Sequence, residues 1–235
     1  MPSVGAEIMR QRVFLAAGLA ALAGSSASAQ TTGFHGRVDA TADIYGITGS
    51  LPEGATNPTS FTLPANAACL SLSKVRGSYG APKCSSPEGC ITINMNEPTN
   101  YNDPDGAMAQ VNVSSNTGAG SISGIKAPGA GYLVGVFTQG MPSGAAPPLL
   151  DFTQGTKTHF TSLAPLLDQT FFVGDGRRKD DKAVHQRFSV PAGSTNLYLG
   201  ISDACGFVGQ PGCYYDNTGF YKVILHVSTA ACPAP

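Results

Sequence analysis

Beyond its N-terminal segment this chain never runs far without a glycine or a proline, and that punctuation argues against a helical architecture. The 235 residues include 29 Gly and 17 Pro. A proline inside a helix removes a backbone hydrogen bond and clashes with the preceding turn. Residues 160–167 offer a helical turn or two at most, and Pro165 cuts them short. What lies between the breaks reads as strand. Residues 38–46, 60–63, 170–173, 187–190, 197–201 and 220–227 are short strand candidates, 132–137 is a short continuous apolar run, and 68–75 and 91–95 alternate apolar and polar at period two. In the last run Tyr221, Val223, Leu225 and Val227 share one face, the expected core face. Short strands set between Gly, Pro and Asn turns predict an all-β fold of the β-sandwich kind, jelly-roll-like, with long Gly/Pro-rich loops. The Gly/Ser/Ala-rich stretch 113–130 and the Pro/Gly-rich stretch 141–148 are expected to be surface loops of a single domain over residues 30–235. Phe61-Thr-Leu-Pro-Ala-Asn, followed by Leu70-Ser-Leu-Ser, is echoed by Phe188-Ser-Val-Pro-Ala-Gly, followed by Leu197-Tyr-Leu-Gly. The echo reads either as two turn-then-strand units lying side by side or as a chance likeness of two Pro-containing turns.

Residues 1–29 read as a secretory signal. Arg10 and Arg12 give a basic start, residues 13–23 are apolar, and Ala27-Ser-Ala29 is a cleavage site that places the mature start at Gln30. The apolar run is too short to span a bilayer, and no later segment is longer. The expectation is therefore a secreted or periplasmic protein without membrane insertion. Six cysteines, Cys69, Cys84, Cys90, Cys205, Cys213 and Cys232, imply disulfides in an exported chain. Their spacing favours Cys84–Cys90 and Cys205–Cys213 as local staples, which leaves Cys69–Cys232 as a long-range tie. Six cysteines allow other pairings, and a zinc site is the rival use, though no C-x-x-C occurs and the four histidines are scattered. A formal net charge of −1 by itself suggests no polyanionic partner, and no basic patch along the sequence marks a nucleic-acid site, so no nucleic acid is expected.

The stretch that concentrates ligand chemistry is residues 203–219. Asp203 closes one strand-like run, and Asp216-Asn217 open the next. Pairing of the two runs as an antiparallel hairpin would bring two carboxylates and a carboxamide to one sheet edge. Calcium takes six to eight oxygens from such groups and from backbone carbonyls. The plain alternative is a turn, since Asx residues followed by Gly are ordinary turn formers.

The order Gly131-Tyr-Leu-Val-Gly-Val-Phe, Phe171-Phe-Val-Gly-Asp-Gly, Phe188-Ser-Val-Pro-Ala-Gly, Asn196-Leu-Tyr-Leu-Gly-Ile-Ser-Asp203 and Asp216-Asn217-Thr-Gly-Phe-Tyr-Lys-Val carries a resemblance. It resembles the bacterial calcium-dependent galactophilic lectins of the PA-I type, with their galactose-binding-like β-sandwich. Ser78-Tyr79-Gly80 is similar to the end of that family's early strand. The likeness spans most of residues 38–228, with insertions around 82–90, 113–130 and 141–167. It implies a calcium ion held by side chains of Asp203, Asp216 and Asn217 and by the backbone carbonyls of Tyr79 and Cys213. It also implies a sugar whose vicinal diol completes the coordination, with Asp203 and Asp216 accepting hydrogen bonds from sugar hydroxyls. The family's sugar loop falls on Asn102-Asp103-Pro104-Asp105-Gly106. There Asp103 stands where the family has His, and no Gln follows. Acceptors thus replace a donor and an amide at Asp103 and Asp105, the other expected sugar contacts.

The expected function is calcium-dependent carbohydrate binding without catalysis, with a glycan or small carbohydrate as partner. The alternative is an exported structural or surface-interaction protein on the same fold, in which calcium only rigidifies loops. No G-x-S-x-G, H-E-x-x-H or P-loop occurs. The charged run 175–182 reads as a solvated hairpin tip. Tyr214-Tyr215 read equally as a stacking platform for a sugar or as cover for the staple. Asn112-Val-Ser114 matches a glycosylation sequon, given little weight because the signal looks bacterial.

Overall fold

The structure is a computed structural model that describes residues 28–80, 103–106 and 113–233. It is all-β, as the short-strand pattern predicts. Residues 91–95, the Cys84–Cys90 pair and nearly all of the expected signal lie outside the described residues.

The first sheet contains β1 (Thr31–Asp39), β3 (Cys69–Gly80), β8 (Ser162–Leu163), β10 (Arg187–Ser189) and β13 (Thr218–Ser228), in the order β1-β13-β3-β10-β8. The second contains β2 (Thr59–Thr62), β6 (Leu133–Thr138), β9 (Phe171–Phe172) and β11 (Asn196–Ile201), in the order β2-β11-β6-β9. The third contains β4 (Val113–Ala119), β5 (Ile122–Pro128), β7 (Leu150–Asp151) and β12 (Val208–Gly209), in the order β12-β4-β5-β7. One contiguous apolar cluster draws on all three. It includes Leu70 and Tyr221 from the first sheet, Val134 and Leu199 from the second, and Ile122 and Ile125 from the third. Tyr221, Val223, Leu225 and Val227 are buried on the expected face of β13.

The sequence echo is a structural relation. β2 turns into β3, and β10 turns into β11. Phe61 lies opposite Leu197, and Phe188 lies opposite Leu70, both in antiparallel pairs. The two units therefore lie side by side and head to tail, each carrying the chain between the first and second sheets. Their Pro-containing turns are tied by Leu63 N–H to Thr195 carbonyl at 2.9 Å and by Val190 N–H to Ala68 carbonyl at 3.0 Å. The turns match because both must make the same crossing.

Three expectations are corrected. The run 38–46 is not one strand. β1 stops at Asp39, and Asp43 caps a 3-10 turn over Ile44–Thr48 by accepting from Tyr45 N–H at 2.9 Å. A short acidic side chain that can bond the backbone two residues on favours such a turn over a ladder. The stretch 113–130 is not a loop but the β4–β5 hairpin, with Ile122, Ile125 and Ala127 buried. Its small polar residues fit a pleated surface once the core supplies a partner, and strand preference depends on that context. Residues 160–167 form no helix, and Ser162–Leu163 instead pair in parallel with β10.

One glycine secures the neighbourhood of the candidate site. Gly77 has φ +134°, and a Cβ there would sit 1.9 Å from the Phe220 carbonyl oxygen. The close approach of β3 to β13 therefore requires Gly.

Candidate functional site

The chain leaves β11 at Ile201 and reaches β13 at Thr218. The two strands do not pair, because β11 belongs to the second sheet and β13 to the first. The expected hairpin is thus corrected to a loop that crosses between sheets. Its ends still meet. Cys205 and Cys213 are bridged, with Cα atoms 5.0 Å apart. Gly212 N–H donates to the Asp203 carbonyl at 3.2 Å, and Ala204 bridges Pro211. Cys213 takes a left-handed conformation at φ +64° and starts the 3-10 turn Tyr214–Asp216.

Tyr214 is the clamp of this loop. Its hydroxyl accepts from Asp203 N–H at 3.2 Å and lies within donating distance of Asp43 Oδ1 at 2.8 Å and the Ile201 carbonyl at 3.0 Å. Burial, and then the nearby carboxylates of Asp43 and Asp203, push its phenol well above the usual range. It is therefore a fixed neutral hydrogen-bonding group. Of the two readings for Tyr214-Tyr215, Tyr214 takes the covering role, being fully buried. Asn116 on β4 donates to the Asp203 carbonyl at 2.6 Å. Tyr45 bonds Ser202, and Tyr132 bonds Ser114, each at 2.8 Å. The end of β11 is thus held by the polar side chains of Tyr45, Asn116 and Tyr214.

The expected calcium ligands fall as follows. Asp203 is buried, and its Oδ1 accepts from Ala204 N–H at 2.8 Å. Asn217 is buried and donates its amide N–H to the Ala40 carbonyl at 3.1 Å, so its amide oxygen points away from that carbonyl. Asp216 N–H approaches the Cys213 carbonyl at 3.5 Å. The main chain of Tyr79 lies opposite Gly219 on the neighbouring strand, two residues past Asn217. Four of these positions lie on the stapled loop, and the fifth, Tyr79, lies on the strand paired with the start of β13. The donor set is all oxygen, which suits a hard cation. Among the described residues no group of three or more His, Cys, Asp or Glu side chains forms a metal cluster. The zinc alternative loses four ligands, because Cys69–Cys232 and Cys205–Cys213 are disulfides.

Asp103 and Asp105 are anchored to other partners. Asp103 Oδ1 accepts from Asp105 N–H at 3.0 Å, and its carbonyl accepts from the Tyr221 hydroxyl at 3.1 Å. Leu133 N–H donates to the Pro104 carbonyl at 3.0 Å, which fixes this segment at the start of β6. Asp105 is only 4% exposed. Its carboxylate pairs with Lys182 and accepts from Asp175 N–H at 2.9 Å. Lys182 also pairs with Asp175 at 2.7 Å. Burial disfavours the Lys182 charge, but its bonds to Asp105 and Asp175 outweigh that and hold the ammonium above its usual range. The charged run 175–182 is therefore more than a solvated tip, since Lys182 neutralises a buried carboxylate. Burial, and then the Asp105 charge, raise the Asp103 carboxyl above the usual range.

Sequence reasoning missed Asp43, Tyr45 and Asn116. Asp43 is fully buried, and its Oδ2 has no hydrogen-bond partner among the described residues. Burial raises its carboxyl, against the hydrogen bonds from Tyr45 and Tyr214. Its only local signal is Asp43-Ile-Tyr45 as a cap before a short turn.

No family model, curated protein or solved structure matches the chain. The lectin likeness therefore rests on the short motifs alone.

Proposed function

We propose that this is an exported carbohydrate-binding protein without catalysis, whose 203–217 loop holds a calcium ion. The observation that carries the reading is the stapled loop. It carries Asp203, Cys213, Asp216 and Asn217 and runs into the strand paired with Tyr79. Two carboxylates, one amide oxygen and two peptide oxygens leave room in a coordination shell of six to eight. When bound, calcium supplies open positions that a vicinal diol can fill. The chain's own residues order the loop, with Tyr214 holding the Asp203 backbone and the disulfide setting the reach of Cys213. The two disulfides and the signal-like N-terminus support export.

A second reading keeps calcium as a loop stiffener with no sugar bound. It is favoured by Asp105, whose carboxylate is already engaged by Lys182 and Asp175. Thermal unfolding in calcium and in chelator, for wild type and Asp216→Ala, tests the metal. At a hundredfold excess over Kd a folded-state ligand adds about 2.7 kcal/mol. For a domain of this size that raises Tm by roughly 5–10 °C. The rise is expected in wild type and lost in Asp216→Ala. No calcium shift in wild type overturns both readings. A shift without any hit in a calcium-dependent glycan screen leaves the second.

A further inference from the structure

Strand register collects cations that the sequence scatters. Arg37 on β1 lies opposite Lys222 on β13, and Lys222 lies opposite Arg76 on β3. Directly opposed residues share a face of the sheet, so the three form one row about 10 Å across. One step along, Lys74 lies opposite Ile224 on the same face. Beside β3 runs a groove of about 370 Å³ lined by Ser73, Lys74, Arg76, Asp175 and Arg177. Four of the chain's 14 Lys and Arg side chains thus meet on one face of a protein whose net charge is −1, and Arg177 lines the groove beside it.

The row carries an energetic cost. Like charges directly opposite one another on neighbouring strands destabilise a sheet. Arg37, Lys74, Arg76 and Lys222 are exposed. Among the described residues Lys74, Arg76 and Lys222 have no carboxylate within ion-pair distance. The two acids at the margin are occupied, Asp39 by Arg37 and Asp175 by Lys182. Arg37 also lies over the Phe220 ring, 3.9 Å from its centroid, which holds that guanidinium in place.

We infer that this face binds an extended polysaccharide bearing carboxylates, a surface independent of the calcium loop. Arg37 is engaged by Asp39 and Arg177 donates to the Lys182 carbonyl, so Arg76 supplies the planar fork that matches a carboxylate with two parallel hydrogen bonds, beside the ammonium groups of Lys74 and Lys222. The uncharged neighbours Ser73 and Ser78 offer hydroxyls to a sugar chain. A lipid surface fits less well, because none of the exposed large apolar side chains, Leu51, Val113, Met141, Leu149, Leu166 and Val208, lies in a strand of this sheet, and Phe220 and Ile224 on the face are only partly exposed. The major groove of a duplex admits a helix or a two-stranded ribbon, and this multi-stranded face offers neither.

The test is titration of the mature protein with polygalacturonate in chelator, which removes any calcium contribution. Binding is expected at low salt, to weaken several-fold between about 50 and about 300 mM NaCl as screening shortens, and to vanish for the fully methyl-esterified polymer. Arg76→Ser/Lys222→Ser is expected to weaken it at least about tenfold, a loss of one or two charge-assisted contacts. The charge-matched pair Lys126→Ser/Lys157→Ser should leave it within about twofold, since these side chains lie off the face. Equal weakening by both pairs overturns the inference. So does the absence of binding, or equally tight binding to duplex DNA or to phosphatidylglycerol vesicles.

Discussion

Asp43 shows how one side chain can set a pH response. Its Oδ1 accepts two hydrogen bonds, while Oδ2 is buried without a partner among the described residues. Burial outweighs the hydrogen bonds, so the folded-state pKa lies above the ordinary carboxylate value. The folded state then holds this proton more tightly than the unfolded chain. Stability from this residue is present below the ordinary carboxylate value and is lost as pH rises from there to the raised value. The slope is at most about 1.4 kcal/mol per pH unit. Asp43→Asn removes the titration, so its stability, relative to wild type, should improve as pH rises through that window. Urea unfolding of both proteins across acid to neutral pH checks this, and parallel curves would refute it. Asp43 was not legible as a site residue, since its burial depends on β11 lying beside the turn it caps.

At the scale of elements the loop between β11 and β13 matters most. Sequence reading identified its Asx residues and its staple but expected a hairpin. Hydrophobic alternation marks each run as a strand without saying which sheet it joins. The structure puts the runs in different sheets, and Tyr214 then does what ladder hydrogen bonds would have done. Tyr214→Phe leaves the Asp203 N–H and Asp43 Oδ1 each short of a buried partner. A loss of about 2–4 kcal/mol is expected, from the penalty of stranding buried polar groups. Faster amide exchange should be confined to the loop, and hydrogen-exchange mass spectrometry reads it. Uniform change across the molecule would mean that Tyr214 does not clamp the loop.

At the scale of the molecule, two disulfides act on chain entropy to different extents. Cys69–Cys232 closes a separation of 163 residues, and Cys205–Cys213 closes one of 8. The loop-closure relation gives about 5 kcal/mol for the first and about 2.6 kcal/mol for the second. Paired Cys→Ser variants at each bridge, unfolded in denaturant, should rank in that order. A larger loss at Cys205–Cys213 would show that loop ordering, not chain entropy, dominates. Both pairings were legible from spacing, and so was the core face of β13, because neither depends on the path of the whole chain.

By itself the sequence determined an all-β chain, and it favoured the two disulfides and offered the matching turn units as one of two readings, since turn chemistry, period and spacing are local properties. It also marked Asp203, Asp216 and Asn217 as candidate ligands. Only the tertiary structure decided that stretch 113–130 is a hairpin and that Asp105 faces Lys182. It alone aligned Arg37, Lys222 and Arg76 in one row. Those outcomes depend on which distant strands become neighbours, and many long-range contacts, acting together, select that pairing.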